Sequence, residues 1–318
     1  MKDFLAIDIG GTYIKYGKIS KDGTILEQSK GPTPQNIVDF NLFLRNITEQ
    51  FGSTISGICI SCPGNVNNQT GFVRSGGLIP YLKNIPLAEE MSVFSGLPVT
   101  VLNDADATGL AEAQSGSLKD CYCGGALVLG TGVGLSIVSN GQLIGFTELQ
   151  SKGLFTRPIR HSIAIKERDI FHDLGMALDL HWQGLQSLIH NQGSAVGFVN
   201  QASEHLGLTE SDGLKVFEAI QNREDQSLQE LFDNYCNEIA TLILNLRLLV
   251  HVEKVALGGG VSQQNILISG IKESYKNLVS DLQMPVTPNI ESVRIQAAHY
   301  HNDANLLGAL YFHLQKTA

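Results

Sequence analysis

Two stretches of this chain carry the same structural pattern, and that repetition limits the fold more than any other feature. Residues 4–26, "FLAIDIGGTYIKYGKISKDGTIL", read as strand, glycine turn, strand, Lys-Asp-Gly hairpin and third strand. Residues 125–145, "GALVLGTGVGLSIVSNGQLIG", repeat it with Asn140-Gly141 at the hairpin. Asp-Gly and Asn-Gly between apolar runs are strong hairpin signals, because these residues accept the positive φ that such turns require. Later in each half an apolar strand runs into a small-residue loop, "ISGICISCPGN" at 55–65 and "VEKVALGGGVS" at 252–262. The doubled pattern predicts two related α/β lobes.

Length and composition agree. At 318 residues the chain exceeds what one hydrophobic core usually supports, so two domains are expected. The boundaries read from the pattern are 1–115 plus 303–318 for an N-terminal lobe and 116–302 for a larger C-terminal lobe. Apolar residues at steps of three and four from Leu228 through Phe232, Tyr235, Ile239 and Ile243 to Leu246 predict a core helix over 228–250. Residues 303–314 predict a last helix capped by Asp303. A formal charge of −9 opposes an electrostatic grip on nucleic acid or anionic lipid and favours small-molecule partners. No run approaches the roughly 20 apolar residues of a membrane span. Asp3 and Asp8 fall where a secretory signal needs an apolar stretch, so a cytoplasmic location is expected. The five cysteines show no paired C-x-x-C arrangement, and reduced, mostly buried thiols are expected. Cys121 and Cys123 lack companions for a metal site.

The chemistry concentrates in glycine loops. Asp8 ends a strand and is followed by Gly10, Gly11 and Thr12, a tight turn whose backbone N–H groups and hydroxyl suit phosphate oxygens. The Asp8 carboxylate suits a hydrated magnesium ion. Gly130, Thr131 and Gly132 repeat the turn in the second half, so that the two hairpins could clamp a polyphosphate. Gly258, Gly259 and Gly260 form a third bare loop that a flat adenine could approach. A nicotinamide-binding reading of "GTGVGL" is disfavoured, since Leu135 occupies the third glycine position and the segment reads as a hairpin, not a strand-to-helix turn.

In order along the chain, "DIGGTYIKYG", "SCPGNV", "LNDADATGLAE", "LGTGVG", "GQLIG", "VALGGGVS" and "NDANLLGAL" resemble the ROK family (repressor, open reading frame, kinase) of the hexokinase and actin-like ATPase superfamily. The resemblance spans essentially the whole chain, and "GGLIPYL" and "SDGLKVFEAI" look most like β-glucoside kinases. It implies an α/β fold of two actin-like (ribonuclease H-like) lobes with a central cleft. It also implies a kinase that uses ATP and Mg2+ to phosphorylate the 6-hydroxyl of a hexose or β-glucoside, and that forms a homodimer. Asp104 matches the family's catalytic base and Asn103 a sugar ligand, with Gly64 and Asn65 of "SCPGNV" also placed at the sugar. Asp104 requires no unusual pKa for that task. From the residues alone, Asn103 and Asp104 also suit the N-cap of the following helix.

The chain departs from the family after the second hairpin. Where such kinases carry G-E-I-G-H and a zinc-binding cysteine cluster, this one reads "GFTELQSKGLFTRPIRH". The expected Glu falls on Gly153 and the expected His on Thr156; no zinc is expected, His161 reads as a surface residue, and Glu148 is the candidate replacement carboxylate. The change suggests either a pocket opened around the anomeric carbon, admitting a glycoside or disaccharide, or a non-catalytic sugar sensor. Glucokinase and N-acetylhexosamine kinase activities are the alternatives within the kinase reading. A DNA-binding repressor is disfavoured, because only seven residues precede Asp8 and the charge is acidic.

Overall fold

The computed structural model describes residues 3–144, 193–223, 225–281 and 293–317. The chain divides into two compact units, Met1–Lys119 with Gly141–Leu143 and His299–Ala318, and Asp120–Asn140 with Ile144–Ala298.

The first unit opens with β1 (Asp3–Ile9), β2 (Tyr13–Ile19), β3 (Ile25–Pro32) and α1 (Ile37–Phe51). It continues with β4 (Ile55–Cys62), β5 (Asn65–Asn67), β6 (Phe72–Ser75), α2 (Leu87–Ser95), β7 (Val99–Asn103) and α3 (Asp104–Ser115). Its main sheet has the order β3-β2-β1-β4-β7. The first three strands are antiparallel neighbours, while β1, β4 and β7 run parallel. Parallel strands are covered on both faces, which is why β1 and β4 are apolar on both faces over most of their length. The pleat divides them: Leu5, Ile7, Ile58 and Ile60 join Phe40 and Leu44 of α1 in one core cluster. Phe4, Ala6 and Cys59 join Leu110 of α3 in the other. Edge strand β3 is mostly exposed, as "LEQSKG" demands.

The second unit contains β8 (Cys123–Leu129), β9 (Val133–Ser139), α4 (Ala195–His205), α5 (Gly213–Asn222), α6 (Gln226–Val250), β11 (Lys254–Gly258), α7 (Asn265–Asp281) and β12 (Arg294–Ala297). Strand β10 (Gln142–Leu143) prolongs the hairpin, giving the sheet order β10-β9-β8-β11-β12. Strands β8, β11 and β12 are parallel, and β9 is antiparallel to β8. Leu228, Phe232, Tyr235, Ile239, Ile243 and Leu246 of α6 are buried in this unit's core.

The last helix, α8 (Ala304–Thr317), returns to the first unit and packs on α3. Gly308 makes that approach possible, because a Cβ there would lie 1.8 Å from the Ala107 carbonyl oxygen. Asp303, read from the sequence as the cap of this helix, ends a short 3-10 turn and accepts a hydrogen bond from Gln28 Nε2 at 2.9 Å. Among the described residues no helix is long and apolar enough to cross a membrane.

Candidate active site

In open α/β sheets ligands bind at the carboxyl ends of parallel strands, and Asp8 and Asp104 of the first unit lie there. Asp8 of β1 is in register with Ser61 of β4, Ser61 with Leu102 of β7, and Cys62 with Asn103. Asp8 is only 7% exposed. Its Oδ1 accepts a hydrogen bond from Asn305 Nδ2 at 2.9 Å, and its Oδ2 lies 3.8 Å from Nζ of Lys15, the residue opposite in β2. Burial raises the Asp8 pKa, while Lys15 and the Asn305 hydrogen bond pull it down. The fully buried Ser61 hydroxyl is close enough to favour the Asp8 carboxylate, yet makes no hydrogen bond of ordinary geometry.

Asn103 ends β7 and is the N-cap of α3. Its Oδ1 accepts from the N–H groups of Ala105 (2.9 Å) and Asp106 (3.3 Å), while its Nδ2 donates to the Gly64 carbonyl at 2.8 Å. The capping contact and the joining of two loops at the site are therefore made by one side chain. Gly64 has φ +89°, and a Cβ there would lie 2.1 Å from the Ser75 carbonyl oxygen, so only glycine fits. Asn65 is exposed at the start of β5. Asp104 is the first residue of α3, and its Oδ1 accepts from the Ala105 N–H at 2.9 Å.

Proton acceptance by Asp104 requires no unusual pKa, yet the structure raises it. Burial pushes its carboxyl up to about 6, and the neighbouring charges of Asp8 and Asp106 add to the rise. A helix N-terminus stabilises negative charge, but here desolvation outweighs it. The Cys62 thiol, near both Asp104 and Asp8, is pushed far up, first by burial and then by these charges.

The first glycine turn is tighter than expected. The Gly10 N–H donates to the Tyr13 carbonyl at 3.1 Å and is unavailable to a ligand, whereas Gly11 and Thr12 are exposed. Thr33 fixes the turn from outside, its Oγ1 donating to the Gly10 carbonyl and its N–H to that of Thr12.

In the second unit the turn between β8 and β9 is one residue shorter but less crowded. The Gly130 N–H donates to the Gly132 carbonyl, and a Cβ on Gly132 would meet nothing within 4 Å. Thr131 and Gly132 are exposed. Ser194 Oγ and the Val196 N–H donate to the Gly130 carbonyl, tying the loop to the start of α4. Gly258 ends β11, parallel to β8, so this loop too lies at a carboxyl edge. Gly259 has φ +93°, and a Cβ there would lie 2.0 Å from the Leu129 carbonyl oxygen; its role is close packing. Gly260 is open and lines a cavity of about 500 Å3 with Leu208, Asp212, Lys215, Phe217 and Gln264. The β8-β9 segment is a hairpin, and Leu135 packs against the core, which removes the nicotinamide reading.

Cys59, Cys62, Cys123 and Cys236 are buried, Cys121 is half-buried, and all are free thiols. Among the described residues no group of three or more His, Cys, Asp or Glu side chains is placed to hold a metal ion. Glu148, Gly153, Thr156 and His161 lie outside the described residues. Sequence reasoning missed Lys15, Ser61 and Asn305. Lys15 was within reach, because the hairpin register sets it opposite Asp8. Asn305, 297 residues from Asp8, left no spacing signal.

The ROK family model matches residues 4–147 and 190–316. The β-glucoside kinase of Listeria monocytogenes is 28% identical over 321 residues, covering 98% of this chain and 97% of that protein. The N-acetylmannosamine kinase of Escherichia fergusonii is 27% identical over 314 residues, covering 96% of each. The crystal structure of a ROK family protein from Streptococcus pneumoniae in complex with sucrose has a TM-score of 0.75 at 28% identity, with 99% of both chains covered. With the doubled sheets, the three glycine loops and a family match running through nearly all the described residues, this chain belongs to the ROK family and has its two-lobed, actin-like α/β fold.

Proposed function

We propose that this protein transfers the γ-phosphoryl group of ATP to the 6-hydroxyl of a hexose or β-glucoside, with Asp104 as general base. The observation that carries the reading is the Asp104 carboxyl itself: pushed up to about 6, it sits at the carboxyl edge of the sheet, next to Asn103, which holds the closely packed Gly64 loop. A primary alcohol is a weak nucleophile, and a base with a pKa near the working pH accepts its proton most effectively. As the oxygen–phosphorus bond forms, the hydroxyl proton passes to a carboxylate oxygen of Asp104. Asn103 holds the loop that receives the sugar, and Asn65 stands exposed beside it.

Asp8 would hold a magnesium ion through water; the unpartnered Ser61 hydroxyl beside this carboxylate is the kind of group a metal-bound water satisfies. When bound, the ion neutralises charge on the migrating phosphoryl group. Gly11 and Thr12 offer N–H groups to phosphate oxygens in the first unit, as Thr131 and Gly132 do in the second. The cavity beside Gly260 suits the adenine. The kinase names of the similar Listeria and Escherichia proteins support the substrate class.

The finer reading is taken from the sequence, where Gly153 and Thr156 stand at the positions of the family's Glu and His, and it is that a β-glucoside or disaccharide is accepted at least as well as glucose. A site built to hydrogen-bond a hydroxyl rejects analogues lacking it, whereas a small-residue opening tolerates a substituent. The test is kcat/KM with ATP and magnesium for glucose, a β-glucoside, cellobiose and N-acetylmannosamine, with the phosphorylated carbon identified by NMR. A preference for free glucose of about a hundredfold, roughly 2.7 kcal/mol, would remove the open-pocket reading. Sugar binding without ADP release would replace the kinase with a sensor.

A further inference from the structure

We propose that Asn305, on the C-terminal helix, is a positioning residue that fixes the Asp8 carboxylate, and that Thr108 sets its orientation from the helix that carries Asp104. The inference rests on the reading of Asp8 as the magnesium-side carboxylate and adds two residues to that site.

Asn305 bridges two elements that are distant in sequence. Its Nδ2 donates to Asp8 Oδ1 at 2.9 Å, and its Oδ1 accepts from Thr108 Oγ1 at 2.9 Å. A side-chain amide has a donor end and an acceptor end of nearly equal shape, so its neighbours decide which way it points. Asp8, ionised, only accepts. Reversal would set the Asn305 carbonyl against the carboxylate and the amide group against a hydroxyl that would then have to accept. The Thr108 hydroxyl, donating to Oδ1, holds the productive orientation.

The other contacts of Asp8 are longer or less well directed than the Asn305 hydrogen bond. Lys15 lies 3.8 Å from Oδ2, which is a charge contact more than a directed hydrogen bond, and Ser61 Oγ has no hydrogen bond of ordinary geometry. The Asn305 bond therefore occupies Oδ1, and Oδ2 is the oxygen nearer Lys15. The bridge is also anchored. Gly308, three residues beyond Asn305, brings α8 against the Ala107 carbonyl, next to Thr108 in α3. Thr108 lies four residues after Asp104, on the same face of that helix. The carboxylate for proton transfer and the carboxylate for the metal are thus joined in one frame, Asp104 through α3 to Thr108, then Asn305, then Asp8.

Three variants test this: Asn305→Ala, Thr108→Val, and the double. Mn2+ serves as the probe, its affinity measured by EPR with ADP present, alongside kcat, the sugar KM and thermal unfolding. Asn305→Ala should weaken Mn2+ binding by about tenfold and lower kcat by a similar factor, with the sugar KM unchanged. Thr108→Val, close in shape but without the donor, should move Mn2+ affinity the same way by about threefold. The double variant should be no worse than Asn305→Ala, because Thr108 acts only through Asn305. Unchanged Mn2+ affinity in Thr108→Val, or additive losses in the double, overturns the proposal. A lowered unfolding temperature with normal Mn2+ affinity makes the bridge merely structural and also overturns it. Should Asn305→Ala fail to fold, Thr108→Val decides alone. A wild-type protein that binds Mn2+ with ADP but transfers no phosphoryl group breaks the kinase reading and leaves this one to the binding data; one that binds no Mn2+ overturns both.

Discussion

The β1-β2 hairpin pairs Ile9 with Ile14, while the β8-β9 hairpin pairs Leu129 with Val133, one residue tighter across the loop. One step back from those pairs, the first hairpin sets Asp8 against Lys15, and the second sets Val128 against Gly134. The same backbone device thus serves two purposes. In the first unit it holds a buried charge at the sheet edge and uses the Gly10 N–H to close its own turn. In the second, where the Gly130 N–H closes the turn on the Gly132 carbonyl in the same way, it carries no charge, and the glycines of the loop meet little. The comparison teaches that one backbone device can carry a buried carboxylate in the first unit and an uncharged, uncrowded loop in the second, and the proposed function gives proton and metal chemistry to the former.

The largest expected effect tests that division directly. Asp104→Asn keeps the shape and the acceptor for the Ala105 N–H but cannot take a proton, so kcat should fall by about a thousandfold, ~4 kcal/mol. Nucleotide affinity, assigned to the glycine loops and not to Asp104, should stay within about twofold. In the wild type the acid limb of the rate profile should fall as pH drops through about 6, because the base must be unprotonated. Stability should move the opposite way. The Asp104 pKa is raised on folding, so its ionised form opposes the fold above the unfolded value, and acidification from about 6 towards 4 relieves this. Asp104→Asn should accordingly be more stable than wild type at neutral pH, by about 1–2 kcal/mol after allowance for solvent access. Near-normal rates in this variant, or an acid limb near 4, would end the role given to Asp104.

Next in size is Gly259→Ala. Its positive φ and the 2.0 Å approach to the Leu129 carbonyl leave no room for a methyl group. The cost should be about 3 kcal/mol or more, and confined to the second unit. Hydrogen exchange resolved by segment should show faster opening of β8 and β11 with β1 and β4 unchanged. Uniform loss of protection would mean that the two units do not melt separately and that the comparison must be redrawn.

Much of this was legible because it is local. The doubled hairpins, the strand-to-loop endings and α6 follow from alternation, turn residues and three-and-four spacing, all of which act within a dozen residues. Asn103 as the cap at the edge where the candidate site lies was also within reach, since a cap at the end of a buried strand is placed at the sheet's ligand edge. What escaped depends on contacts across the chain. The Asp104 pKa follows from burial and from Asp8, which sits 96 residues earlier. The role of Gly259 depends on the Leu129 backbone, and that of Gly308 on the Ala107 carbonyl. In sequence both glycines looked like parts of motifs; in the structure they are places where backbones nearly touch.

The smallest effect gives the sharpest contrast, since one substitution is made in both hairpins. At Gly10 an added Cβ would lie 2.7 Å from the Tyr13 carbonyl oxygen, a backbone atom that can move only if the turn deforms. Gly10→Ala should therefore cost about 1–2 kcal/mol of stability. At Gly130 the nearest atom to an added Cβ is the Gly132 carbonyl oxygen, at 3.9 Å, and neither glycine has the left-handed φ that would strain alanine. Gly130→Ala should be neutral or stabilising by up to about 1 kcal/mol, because alanine has fewer unfolded conformations to lose. Its cost should appear in function instead: the methyl group occupies open space beside a loop proposed to meet phosphate, so KM for ATP should rise by about tenfold, ~1.4 kcal/mol. Thermal unfolding and ATP titration on the two variants give the comparison. Equal losses of stability would show that the hairpins are alike in packing as well as in sequence. A Gly130→Ala protein with normal KM for ATP would take phosphate recognition away from the second hairpin and leave it a turn.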